Sequence, residues 1–401
     1  MAHILFIYKQ FPAPSVGHAG GESLFGLMTA LHRRGHRISL VARMREAERK
    51  HLPHVAAICE EIITVPHHRD LPGPAPLAIA RSYLAFRRAV AHALRDLCPD
   101  AVHVETTQTA AILIGQPLPP ASFRTQDVNW FLQEQRVARL TGLRRRLAQL
   151  KANLFRYLEP ALSRRYDLIL AISEGARALM APHFPAHDLL LVPLAPALDP
   201  TSAPDPAVPR GANLLFVGAM DRQHNLTGIR WFLDEIWPRI RREVAEARLY
   251  VVGGSPPPAL RERADDDERV VVTGFVEDLA SWYRAADVFV SPLLVAGGLL
   301  QKVMDALAMG VPVVATTVCN HGLRATPGEH LITADEPSAF AEAVIGLLND
   351  PAARARLGEN GHRFLQKAYD LPSAVNRWEE ALLALIQCDQ TKENLPGQKS
   401  M

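Results

Sequence analysis

Lys302 and Asp305 stand three residues apart in the run AGGLLQKVMDALAMGVPVV. Two glycines, Gly297 and Gly298, precede a helical pattern there, and a buried strand follows it. Three-residue spacing puts the ammonium and the carboxylate on one helix face. The first turn of such a helix leaves N–H groups without intrahelical partners, and its positive end suits a phosphate. Lys302 is the only lysine between Lys151 and Lys367. In a chain that otherwise uses arginine, that favours a role for a compact point charge. The competing reading is a solvated Lys–Asp pair contributing about 0.3–0.5 kcal/mol. A second glycine cluster, GHAGGE at 17–22, joins the first strand to the first helix through Gly20 and Gly21. Backbone N–H groups at such a turn can meet an anion. The spacing is not GxGxxG, so a dinucleotide fingerprint is absent, and a tight turn alone is the other reading.

The elements that position these groups alternate. HILFIY (3–8) is an apolar run of the kind buried on both faces of a parallel sheet, followed by a helical pattern over 22–34 and the strand RISLVA. AVHVE and DLILAIS (167–173) continue the series. Residues 196–211 are proline-rich and lack apolar periodicity, which marks a linker. A second series restarts with NLLFVG (213–218), a helix over 226–243 and RLYVVGG (248–254). Strands at 269–274, 287–292 and 311–316 follow, separated by helices at 279–286 and 299–309, with another helix at 337–348. The pattern predicts an α/β protein of two doubly wound, Rossmann-like domains. One covers 1–195 and the other 212–370, with a ligand cleft between them at the carboxyl ends of the sheets. A C-terminal helix over 371–387 is expected to cross back to the first domain, and 388–401 reads as a disordered polar tail.

Composition narrows the classes. The 401 residues carry 44 basic and 42 acidic side chains, too balanced for a dedicated nucleic-acid binder. The four cysteines share no short spacing, which argues against a zinc site or disulfide framework and for a reducing cytosol. No apolar run approaches the roughly 18 residues of a spanning helix, and the start reads as a first strand rather than a signal peptide. Charge is uneven, however. Residues 124–165 hold ten basic and three acidic side chains. Within them, a helix over 141–165 places Leu143, Leu147, Leu150, Leu154, Leu158 and Leu162 on one stripe, with Arg144, Arg145, Arg146, Lys151 and Arg156 off it. The first reading is a core-facing stripe with a solvated basic face. The second is peripheral contact with anionic lipid, at about 1 kcal/mol per basic residue near the surface.

Three segments carry a family resemblance: LLFVGAMDRQHNLTGIRWFLDEIWPRI, VVVTGFVEDLASWYRAADVFVSPL and KVMDALAMGVPVVAT. They resemble the retaining group 1 (family 4) glycosyltransferases of GT-B architecture. GGESLFGLMTALHRRGHRISLVA is similar to the opening of the same family. The resemblance implies a metal-independent transferase in glycan or glycoconjugate biosynthesis, with no cofactor beyond its co-substrate. The donor would be a nucleotide-diphosphate sugar held mostly by the C-terminal domain, and the acceptor a glycan, lipid-linked or small molecule.

Carried over residue by residue, the resemblance gives Asp305 the place of the glutamate that binds the nucleotide ribose. The partner glutamate, eight positions earlier, falls on Gly297, so Gly297 and Gly298 can offer only backbone N–H groups. The family's basic positions fall on Ala219, His224 or Asn225, and Leu300. That leaves Lys302, Arg222, the glycine turn at Gly218 and helix N–H groups for the diphosphate. In RTQDVN, Gln126 stands at the family's histidine, where it can bond a hydroxyl but not exchange a proton. Asp127 is a candidate base or orienter for the acceptor, or else the N-cap of the next helix. Glu105 has less support, and His103 reads as packed within its strand. Two functions remain open: active retaining transfer, or a GT-B-shaped nucleotide-sugar-binding protein or partner subunit with weakened or absent transfer. An epimerase on the same architecture fits the 303–316 stretch less well.

Overall fold

The structure, a computed structural model, describes residues 1–14, 16, 19–126, 128–138, 140–185, 188–193, 198, 208, 211–296 and 298–393. The chain divides into two units, Met1–Ala195 with Leu371–Met401, and Pro196–Asp370. In the first unit the order is β1 (His3–Tyr8), α1 (Ala19–His32), β2 (Arg37–Met44), β3 (Glu61–Pro66), α2 (Ala75–Leu97) and β4 (Ala101–Glu105). Then come β5 (Ala121–Thr125), α3 (Asn129–Ala138), α4 (Gly142–Ser163), β6 (Leu168–Ala171) and β7 (Leu189–Leu191). All seven strands are parallel, in the order β3-β2-β1-β4-β5-β6-β7. HILFIY is buried at every position, because helices cover both faces of the sheet. The chain winds outward from β1 on one side and returns to β4 on the other. The two strands stay paired to their last residues, Tyr8 and Glu105, but the connections that follow them leave in opposite directions, which is where an open α/β sheet forms its crevice.

The second unit repeats the plan with β8 (Asn213–Val217), α5 (Gln223–Trp231), β9 (Arg248–Val252), β10 (Val270–Gly274), β11 (Val288–Ser291), α6 (Gln301–Ala308), β12 (Val313–Ala315) and β13 (Ile332–Thr333). Its six parallel strands run β10-β9-β8-β11-β12-β13, with the switch between β8 and β11. The single helix expected over 226–243 is instead α5, a π-turn at Phe232–Ile236, and a helical segment Trp237–Glu243. Pro238 has no N–H to give the Asp234 carbonyl, so the ladder shifts register just before it.

The last helix, α7 (Leu371–Glu393), belongs to the first unit. Its Trp378 is fully buried, 6.4 Å from the Phe6 ring and 5.1 Å from the His103 ring. Glu379 meets Arg34 Nε at 3.1 Å and His36 Nε2 at 2.8 Å. The expectation of a disordered tail from 388 is corrected for 388–393, which extends α7: Ile386 is anchored in the core, and each further residue adds one backbone bond. Residues 394–401 lie outside the described residues, as does the linker 196–211 apart from 198, 208 and 211. Among the described residues no helix is long and apolar enough to cross a membrane.

The core-facing reading of the 141–165 stripe is also corrected. Leu143, Leu147, Leu150, Leu154 and Leu158 of α4 are exposed, while Ala152, Glu159, Pro160 and Ser163 face inward. Glu159 decides the rotation. Its carboxylate accepts from Asn129 N at 2.9 Å, Asn129 Nδ2 at 2.7 Å and Thr107 Oγ1 at 2.7 Å. Burial pushes the Glu159 carboxyl up, while these donors oppose that shift. Turning the leucines inward would strand the start of α3 without its capping acceptor.

Candidate functional site

In the second unit, β8 ends at Val217, and Gly218 opens the loop to α5. Lys302, the second residue of α6, sends Nζ to Asn225 Oδ1 at 2.7 Å and stands 4.7 Å from the centroid of the Phe216 ring. Asn225 is oriented by donating Nδ2 to the Ala219 carbonyl at 2.9 Å. A Cβ at Gly218 would lie 2.7 Å from Asn225 Nδ2 and 2.8 Å from Lys302 Nζ, so any side chain there would displace this pair. The partners of the ammonium are thus a neutral amide and a ring face. Burial draws Lys302 down to about 7. A cation held this way is costly alone and gains strongly from an arriving anion.

Tyr283 Oη donates to the Lys302 carbonyl at 3.0 Å and fixes the first turn of α6. Asp305, one turn on, is 4% exposed and accepts from Gln301 Nε2 at 2.9 Å. The solvated Lys302–Asp305 pair is therefore corrected: the two share a helix but have different partners, because Asn225 lies on the β8 side of Lys302. Gly298 packs against Gly322, where a Cβ would come within 2.6 Å of the Gly298 carbonyl oxygen. Arg222 is exposed at the N-cap of α5. Gly297 lies outside the described residues.

In the first unit a polar chain runs along the ends of β4 and β5. Ser122 Oγ is 2.9 Å from His103 Nδ1, and His103 Nε2 is 3.0 Å from Glu105 Oε2. Arg124 Nε donates to both Glu105 oxygens at 3.0 Å, and Gln126 Nε2 donates to Glu105 Oε1 at 3.0 Å. His103, Glu105 and Arg124 are fully buried. Burial alone would raise the Glu105 carboxyl, but Arg124 and His103 beside it bring it below its ordinary range. Burial keeps His103 low, so the imidazole is neutral. Nearby, burial and then the Glu105 charge push the Tyr8 phenol up, so it stays protonated and donates to Gln10 Oε1 at 2.8 Å. Thr106, just past β4, holds φ at +74°, a strained value for a β-branched residue at the mouth of the crevice.

This chain sets the Gln126 side chain over the first turn of α1. A Cβ at Gly20 would lie 2.6 Å from Gln126 Cδ, so the two predicted positions are brought together. Gly21 follows within the same helix turn, and Gly17 lies outside the described residues. Asp127 also lies outside them, and the start of α3 is capped by Glu159, which the sequence reading passed over. Arg124 was passed over too. Its signal was a charged residue inside ASFRT, a strand buried at every position. Among the described residues, no group of three or more His, Cys, Asp or Glu side chains could hold a metal ion.

Two doubly wound parallel sheets, each with polar groups at its strand switch, define a two-domain Rossmann-like α/β protein of the GT-B fold. Solved structures agree. Sucrose-phosphate synthase from Thermosynechococcus elongatus superposes with a TM-score of 0.69 at 20% identity over 98% of this chain and 99% of that one. HepE from Anabaena in complex with UDP-glucose gives 0.68 at 14% identity, over 96% and 100%. Residues 211–350 match the family described as Glycosyl transferases group 1, and residues 20–195 match the Glycosyl transferase 4-like domain. The chain belongs to the group 1 glycosyltransferases.

Among its relatives is the lipopolysaccharide core biosynthesis mannosyltransferase LpsB of Rhizobium meliloti, 27% identical over 62% of this chain and 80% of that protein. The phosphatidyl-myo-inositol mannosyltransferase of Mycobacterium leprae is 31% identical over 39% and 43%. An uncharacterized 44.6 kDa protein in the cps region of Klebsiella pneumoniae is 25% identical over 39% and 42%. This chain thus spans less than half the length of the last two relatives in these matches.

Proposed function

We propose that this chain transfers a glycosyl group from a nucleoside-diphosphate sugar to an acceptor hydroxyl, with retention at the anomeric carbon and without a divalent metal. One observation carries the reading: Lys302, held by Asn225 and Phe216 beside Gly218 at the end of β8, is a cation with no carboxylate partner among the described residues. A diphosphate answers that need, and phosphoryl leaving-group charge is stabilised by such preorganised donors. Asp305, Arg222 and the N–H groups around Gly297 and Gly298 complete the donor side, with Asp305 toward the ribose. In the first unit the Gly20–Gly21 turn is assigned to the donor as a source of backbone N–H groups, and Gln126 and Asp127, the latter outside the described residues, to the reacting hydroxyl. Gln126 binds and orients a hydroxyl without moving a proton. The UDP-glucose in the HepE structure and the mannosyl transfer named for the relatives support a nucleotide-sugar donor.

The test is a thermal-shift panel of nucleoside diphosphates, followed by donor-hydrolysis and transfer assays with and without chelator. Stabilisation by a diphosphate, then chelator-resistant turnover of the matching sugar with retained configuration, is expected. If no nucleoside diphosphate binds at millimolar concentration, the donor-site reading fails. Binding with no turnover on any donor would leave a sugar-nucleotide-binding protein instead.

A further inference from the structure

We propose that the outer face of α4 docks on an anionic lipid surface. Leu143, Leu147, Leu150, Leu154, Tyr157 and Leu158 form one apolar stripe, with Leu143 71%, Leu150 68% and Tyr157 75% exposed. At about 1.5 Å per residue the stripe runs roughly 22 Å. Soluble monomers rarely leave a continuous apolar strip of that length in water. At about 100° per residue, Arg146 borders one edge of the stripe and Arg144 and Lys151 the other. The single acid on α4, Glu159, points inward and is spent on Asn129 and Thr107. The outer face therefore combines aliphatic side chains, one tyrosine and cations, with no exposed carboxylate on the helix. That is the composition of a helix lying in a membrane interface, its leucines among the acyl chains and its cations at phosphate level.

Charge complementarity selects the occupant. A second copy docked face to face would bring the same cations against one another, since a two-fold interface pairs each patch with itself. A surface rich in anionic headgroups meets both parts of the face at once. This inference does not rest on the transfer chemistry, and it can be tested without any substrate.

The experiment is co-sedimentation of the full chain with vesicles of phosphatidylcholine alone or mixed with phosphatidylglycerol, at low and high salt. Binding to the mixed vesicles, weakened by salt, is expected. Leu150→Glu with Leu154→Glu should lower it at least about tenfold, because buried apolar area is lost and charge of the wrong sign is added. Arg144→Ser with Arg146→Ser and Lys151→Ser should lower it about a hundredfold, at about fivefold per charge. All five positions are exposed, so circular dichroism and melting temperature should stay unchanged, and Leu150→Ser with Leu154→Ser stands in if the glutamates disturb folding. The proposal is overturned if wild type ignores the mixed vesicles, or if binding is indifferent to lipid charge and salt. It is overturned equally if the leucine variants bind as wild type, or if sedimentation velocity shows a dimer that they dissociate.

Discussion

Lys302 Nζ donates to Asn225 Oδ1 at 2.7 Å, across 77 residues of sequence, and Asn225 in turn donates to the Ala219 carbonyl at 2.9 Å. The ammonium of α6 is thereby tied to the loop after β8. Helix start, cation and the loop at Gly218 are linked by these two bonds, and the neutral partner leaves the positive charge uncompensated by Asn225.

Lys302→Met should therefore weaken nucleoside-diphosphate binding by about 1.5–3 kcal/mol, the range for a charged hydrogen bond. Nucleoside binding should change little. Isothermal titration with both ligands separates the two effects, and equal losses would contradict a diphosphate role.

The same cation predicts a pH dependence. Burial puts Lys302 at about 7 in the free protein. A bound diphosphate raises that value, so affinity should fall as pH climbs from 7 to 9 and the free amine loses its proton. Lys302→Arg, charged throughout, should flatten the profile. Stability has the opposite sign. The unfolded lysine titrates near 10.4, so folding is penalised most below 7 and the penalty fades between 7 and about 10. Lys302→Met should consequently raise the melting temperature at pH 7 by about 2–4 °C, and by less at pH 10.

Glu105 and Arg124 are fully buried and mutually dependent. Glu105→Gln leaves the guanidinium without its counter-charge, and its Nη1 and Nη2 already lack partners. The expected loss is about 3–5 kcal/mol by chemical denaturation. Because the Glu105 carboxyl sits below its ordinary range, its contribution is present above about pH 4.3 and is lost as pH falls through the lower folded value. The stability of Glu105→Gln, measured by denaturant at a series of pH values, should accordingly depend less on pH below about 4.3 than that of wild type.

Gly20→Ala separates stability from function. Gly20 lies in helical backbone at the start of α1, so alanine fits the chain, and what it meets is the flexible end of Gln126. Stability should hold within about 0.5 kcal/mol, since helix propensity offsets the displaced amide. Transfer should fall at least about tenfold if Gln126 positions a substrate hydroxyl. A variant with unchanged kcat and KM would remove Gln126 from the site.

Much of the fold was legible in the sequence because a parallel strand covered on both faces must be apolar along its length. HILFIY, NLLFV and VFVS are such strands and are buried throughout. The resemblance to a two-domain transferase followed from local runs of the same kind, and so did the placing of Lys302 at a helix start. Other features depended on contacts between distant residues. ASFRT is a central strand although it holds Ser122 and Arg124, because His103 on β4 meets the Ser122 hydroxyl and Glu105 supplies the counter-charge and the Nε partner of Arg124. Asn225 lies 77 residues from Lys302, and no spacing rule joins them. The leucines of α4 show where periodicity stops: it established that the helix has an apolar stripe, but not which way the stripe faces. Only the tertiary structure shows that: Glu159, bonded to Asn129 and Thr107, faces inward with Ala152, Pro160 and Ser163, and a helix has one rotation, so the stripe on its opposite side is left outward while the buried carboxylate keeps its donors.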